Sequence, residues 1–107
     1  MTIVEVILTI DPYVIDTLMR DLVAHSRSSA AFLVYLQLYR STHAAGKESM
    51  AASHQALGEA TGLSKRSVQI AIGHLIERRL IQQRRLRPTS VPVYRVLTPW
   101  LRRKTPA

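Results

Sequence analysis

The stretch Ser53 to Leu80, SHQALGEATGLSKRSVQIAIGHLIERRL, decides how the rest of the chain is read. Serines stand at Ser53 and Ser64, each just ahead of a run with helical spacing. A serine side chain there accepts a hydrogen bond from the free amides of a first helical turn. Between the two runs lies Thr61-Gly62-Leu63, where the backbone reverses, and positive φ is expected at Gly62 because glycine alone takes it without steric cost. Gly58 and Ala60 precede the turn and leave room for two helices to cross closely. The second helix is expected over Lys65 to Arg79, with Val68, Ala71, Ile72, Leu75 and Arg79 on one side. Lys65, Arg66, Gln69, Ile70, Gly73, His74 and Glu77 then face outward, a make-up that suits a DNA groove.

The charge of the chain changes where that second helix starts. Before Ser64 there are four Lys or Arg and six acids, a balance of −2; from Ser64 onward eleven basic residues face the single acid Glu77, a balance of +10. A polyanion explains the asymmetry directly, because every phosphate contacted releases condensed counterions. A solvated basic surface that aids solubility is the plainer account of a charge run taken alone.

With 107 residues, 47% of them apolar, the chain has material for one core but not for two. It has no cysteine, which rules out disulfides, thiolate chemistry and cysteine zinc sites. No apolar run reaches the length of a membrane span, and the first residues lack the pattern of a signal peptide, so a cytoplasmic protein is expected. His25, His43, His54 and His74 are scattered, without carboxylates at metal-ligand spacing; there is no glycine-rich phosphate loop and no nucleophile elbow. No catalysis, metal, cofactor or small-molecule substrate is therefore expected.

Outward from the opening stretch, the first ten residues, MTIVEVILTI, are rich in β-branched side chains and predict a strand whose partner is not evident. Asp11-Pro12 opens a helix, the carboxylate capping and the proline in the first position. Val14, Ile15, Leu18, Met19, Leu22 and Val23 form its apolar stripe, which packs either on the domain or on a second subunit. A serine then caps a helix from Ala30 to about Thr42 that is apolar on more than one side, as a central packing element is. Ser49 to Ala52 is expected to be extended. Leu80 to Arg87 and Val93 to Thr98 predict a β-hairpin, with Tyr94 and Val96 on the core side and Arg95 opposite. Its connection carries Pro88 and Pro92 and no glycine turn, which predicts an open, mobile tip. Trp100 is expected to return to the core, leaving Arg102, Arg103 and Lys104 free in a basic tail.

Helical lead-in, two helices around a tight turn and a basic hairpin, in this order, resemble a winged helix-turn-helix domain, a mainly α fold with a small β-hairpin wing. The phrases LVYLQLYR, SHQALGEATGLSKRSVQIAIGHLIERRLI and VYRV are similar to modules of bacterial transcription regulators and of plasmid or phage replication proteins. The resemblance covers about Ala30 to Leu97 and is most specific at Leu57, Ala60, Gly62, Leu63, Ser64, Val68, Ile72, Leu75 and Ile81. The chain divides accordingly into residues 1–29, a strand and amphipathic helix available for dimerisation; 30–98, the winged domain; and 99–107, the basic tail.

The resemblance implies sequence-specific binding of double-stranded DNA by a small transcription regulator, with the second helix in the major groove. Replication initiation or partition of a plasmid or phage is the alternative role, and a winged helix that binds protein instead of DNA is the alternative class. The implied DNA contacts begin at the two caps, Ser53 and Ser64, and continue with Ser67 on phosphates and Lys65 and Arg66 on phosphate or guanine. Gln69 pairs with adenine, Ile70 meets a thymine methyl or is buried against a neighbour, Gly73 permits close approach to DNA or tight helix packing, and His74 touches a phosphate or is an ordinary surface histidine. Arg84, Arg85, Arg87 and Arg95 track the backbone or the adjacent minor groove. The partners expected are thus double-stranded DNA and a second copy of the chain through residues 1–29, with no membrane.

Overall fold

The computed structural model describes residues 7–101. The expected N-terminal strand is not formed where it can be followed: residues 7–10 are irregular, with Ile7 and Leu8 exposed, and residues 1–6 lie outside the described residues. β-branched composition favours a strand only where a partner edge is at hand, and here the chain runs directly into the cap of a helix. In that cap an Asp11 carboxylate oxygen accepts the Tyr13 amide at 2.9 Å, while the Asp11 amide donates to the Tyr39 hydroxyl at 3.2 Å.

Residues 12–25 form the N-terminal helix, which contains two π-helical turns, Val14–Leu18 and Asp21–His25. Val14, Leu18 and Leu22 from it enter the core. The chain then passes through Arg27 in the left-handed conformation to Ser28, whose hydroxyl accepts the Ala31 amide at 3.1 Å and caps α1, Ser29–Ser41. Ala31, Phe32, Val34, Tyr35, Leu38 and Tyr39 of α1 are all buried, as a helix apolar on several sides must be. α1 is the central element, in contact with the N-terminal helix, α2 (His54–Thr61), α3 (Lys65–Glu77) and the sheet.

Gly62 closes α2 at φ 82°, its amide donating to the Gly58 carbonyl at 2.8 Å, and Ser64 opens α3 two residues later. The close approach expected at the small residues is found at Gly58 only, and against the turn: a Cβ on Gly58 would lie 2.7 Å from the Leu63 carbonyl oxygen, whereas Ala60 is exposed. Val68, Ala71, Ile72 and Leu75 are buried, but Arg79 is not on that face. α3 ends at Glu77 rather than at Arg79, because Arg79 turns to φ 57° and the Leu80 amide bonds back to the Leu75 carbonyl at 2.9 Å. This closing turn delivers Leu80 and Ile81 to the core and starts the sheet.

The sheet is antiparallel in the order β1-β3-β2, with β1 at Met50–Ala51, β2 at Ile81–Arg84 and β3 at Val93–Val96. Gln83 pairs with Tyr94, and Met50 pairs with Tyr94 from the other side. Tyr94 is buried, Val96 packs on the core and Arg95 points outward. The hairpin strands are shorter than the runs expected at Leu80 to Arg87 and Val93 to Thr98, since Arg85, Leu86 and Arg87 belong to the connection. Trp100 returns to the core as expected, 4.6 Å from Tyr13 between ring centres and nearly parallel to it. Arg102, Arg103 and Lys104 lie outside the described residues.

Candidate nucleic-acid interface

Local chemistry prepares the start of α3. The Ser64 hydroxyl oxygen accepts the Ser67 amide at 3.1 Å, and its proton goes to the Ser67 hydroxyl oxygen at 2.9 Å. Ser53 makes the equivalent cap on α2, accepting the Ala56 amide at 3.0 Å. Both caps thus spend an acceptor on their own helix.

Along α3, Lys65, Arg66, Gln69, Ile70 and Gly73 are exposed, while Ser67 and His74 are half-buried. Ile70 is 58% exposed, so it is not covered by the hairpin. Gly73 is equally open: a Cβ placed there would meet, among the described residues, no atom beyond its own helical turns within 4 Å. Close packing within the domain therefore does not account for that glycine.

The wing loop is closed, not open. Arg85 Nη1 donates to the Ser90 carbonyl at 2.8 Å, and the Ser90 amide donates to the Arg87 carbonyl at 3.0 Å. The second bond makes a four-residue turn with Pro88 in its second position, where the fixed φ of proline is already right. Glycine is unnecessary in such a turn. Folded this way, Thr89 to Pro92 and Arg85 lie over Ser53, His54, Gln55 and Lys65, enclosing a groove of about 270 Å³. The His54 imidazole in this groove is held below its ordinary pKa, first by burial and then by the charges of Arg85 and Lys65.

The structure thus gathers Ser53, Lys65 and Arg85 at one groove, continuous in chain with Ser64, Arg66, Ser67, Gln69, Ile70, Gly73 and His74 along α3. It does not bring Arg84 and Arg95 there. Strand alternation puts both on the outer face of the sheet with Gln82 and Val93, beside Glu48 and Ser49. Arg87 is exposed in the loop. His54, Gln55, Thr89 and Ser90 were not singled out by the sequence; the first two carried a usable signal, because they open the helix after the Ser53 cap.

Among the described residues no cluster of His, Asp or Glu could hold a metal ion, and no helix is long and apolar enough to cross a membrane. Three helices around a glycine-closed turn, followed by a small antiparallel sheet whose loop folds beside α3, define a winged helix-turn-helix fold. A family model described as a helix-turn-helix domain matches residues 28–81, from the cap of α1 to the first residue of β2, and the chain belongs to that family. No curated protein and no solved structure matches the chain.

Proposed function

We propose that this protein binds double-stranded DNA sequence-specifically as a small transcription regulator, acting in the cytoplasm, with residues 30–98 as the DNA-binding unit. The N-terminal half of α3 enters the major groove, where Arg66 and Gln69 read guanine and adenine and Ile70 meets a thymine methyl. The observation that carries this reading is the groove in which Lys65 and Arg85 converge with the capped starts of α2 and α3. Two cations, two helix N-termini and the Ser67 hydroxyl suit a DNA backbone lying beside the groove that α3 occupies. Arg84, Arg87 and Arg95 follow the same backbone further out or lend the wing long-range attraction.

The test is duplex affinity against salt. Wild-type affinity for random duplex falls steeply as salt rises, and Lys65→Ala and Arg85→Ala each make the logarithmic slope shallower by about 1. Arg66→Ala and Gln69→Ala instead cost affinity for a site selected from random DNA, by about 1 to 3 kcal/mol each. Affinity that hardly changes with salt would overturn the reading and favour a protein-binding winged helix. Where the selected motif falls in the genome, at promoters or at a replication origin or partition site, then separates roles that use the same duplex contact.

A further inference from the structure

The N-terminal helix carries two apolar rows side by side. Val14, Leu18 and Leu22 are buried in the core, and the adjacent row, Ile15, Met19 and Val23, is 41%, 38% and 43% exposed. Residues four apart drift sideways around an α-helix, which turns by about 100° per residue. The π-helical turns Val14–Leu18 and Asp21–His25 take more residues per turn and counter that drift, so the exposed row runs nearly along the helix axis. A straight apolar row of this kind is what a second helix packs against.

Asp16 and Arg20 each follow a member of this row by one position, so both lie on the same edge of it. Both are exposed, and among the described residues neither side chain has a hydrogen-bond or ion-pair partner. An antiparallel two-fold sets Met19 against Met19 of the second copy and Ile15 against Val23. It also brings Asp16 of each copy beside Arg20 of the other along one shared edge. A parallel two-fold puts the charged edges on opposite sides and pairs neither.

We propose that the row Ile15, Met19 and Val23 is a homodimer contact, antiparallel and self-complementary, with Asp16 and Arg20 as its two reciprocal ion pairs. Arg78, at the end of α3, bonds to Asp21 and Ser26, which ties this helix to the C-terminal end of α3. The start of α3 at Lys65 lies roughly 20 Å away along a helix of 13 residues, so dimerisation leaves both groove-facing ends free. The contact does not depend on the DNA reading, and its test uses no DNA.

Because the chain has no cysteine, one introduced thiol reports its neighbours cleanly. Full-length Met19→Cys and, as a control, Leu86→Cys are oxidised in parallel and run without reductant; Leu86 is 76% exposed and lies on the wing, away from the proposed contact. Met19→Cys is expected to give disulfide-linked dimer roughly tenfold faster or more than the control, since the dimer raises the local thiol concentration. In the Met19→Cys chain, adding Asp16→Arg slows the cross-link severalfold, and adding Arg20→Asp as well restores it. Cross-linking no faster than Leu86→Cys, with circular dichroism unchanged, would overturn the dimer. A fast cross-link indifferent to both charge reversals would overturn the antiparallel pairing.

Discussion

Gly58 and Gly73 are both helical glycines, and opposite constraints act on them. At Gly58 an added Cβ would sit 2.7 Å from the Leu63 carbonyl oxygen, a backbone atom that cannot swing aside, whereas at Gly73 it would meet, among the described residues, nothing beyond its own helical turns within 4 Å. Gly58→Ala is therefore expected to destabilise the fold by about 1 to 3 kcal/mol in denaturant unfolding, through overpacking of the turn. Gly73→Ala is expected to do the reverse, stabilising α3 by about 0.5 to 1 kcal/mol while weakening duplex binding. Unchanged DNA affinity in the more stable variant would mean that no groove wall comes close to Gly73. The sequence made Gly62 legible, because a turn between two capped helices needs positive φ, which it has at 82°. Arg79 at φ 57° was not legible, since an arginine in that conformation is selected by the burial of Leu80 and Ile81 beyond it and not by its own preference. His54 supplies a second test at this scale. Burial, then Arg85 and Lys65, lower its pKa, so the unfolded chain takes up the proton first as pH falls. Its neutral-state stability is complete above the ordinary pKa of about 6.5 and is lost as pH falls towards the lower folded value. A phosphate in the groove would favour the imidazolium, so DNA affinity is expected to rise severalfold from about pH 7.5 to 6, and His54→Gln should flatten that rise.

Between elements, the Arg78 guanidinium is the fastening of the N-terminal helix to α3. It reaches both the Asp21 carboxylate and the Ser26 hydroxyl, and His25 adds a contact to Asp21 at 3.2 Å. Partial burial pushes the Asp21 carboxyl up, but hydrogen bonds from His25 and Arg78 and their charges outweigh it and hold the pKa below its ordinary 3.8. The contribution to stability is thus complete above that ordinary value and is lost as pH falls through the lower folded one. Both partners are about one-third exposed, so screening keeps the contribution small. Arg78→Ala is expected to cost about 0.5 to 1 kcal/mol and to speed amide exchange in residues 12–25 more than elsewhere. Uniform exchange across the chain would show that the pair fastens nothing in particular. The amphipathic helix itself was readable from Val14, Leu18 and Leu22, while its π-helical turns were not, because no residue type encodes them. The wing shows the same division: its strands follow from alternation, but the closed loop depends on an Arg85 bond to Ser90 that spacing does not disclose.

Across the whole molecule, Trp100 joins the two ends of the described chain. Its indole N–H donates to an Asp11 carboxylate oxygen at 3.2 Å, 89 residues earlier, while its ring stacks on Tyr13 at 4.6 Å. Beneath it lies Tyr35, 6.4 Å away between ring centres, whose buried hydroxyl donates to the Leu97 carbonyl at 2.9 Å. That Trp100 packs inward was readable from a lone tryptophan beside a hairpin; its partners were not, since a helix cap by itself accounts for Asp11 in the sequence. The carboxylate in fact serves both, one oxygen accepting the Tyr13 amide and the other the indole. Because the same helix contributes Val14, Leu18 and Leu22 to the common core, loosening it exposes part of α1 as well. Trp100→Ala is expected to cost about 2 kcal/mol, less than a fully buried tryptophan because the ring is only partly covered. Trp100→Phe keeps a stacking ring and loses the donor, for about 0.5 to 1.5 kcal/mol. Circular dichroism melts measure both, and random-duplex affinity at a temperature where the variants stay folded should match the wild type, since the proposed DNA groove lies on other elements. An alanine variant as stable as the phenylalanine one would mean that the ring contributes only its hydrogen bond. A variant that kept its stability yet lost DNA affinity would instead place Trp100 in the interface.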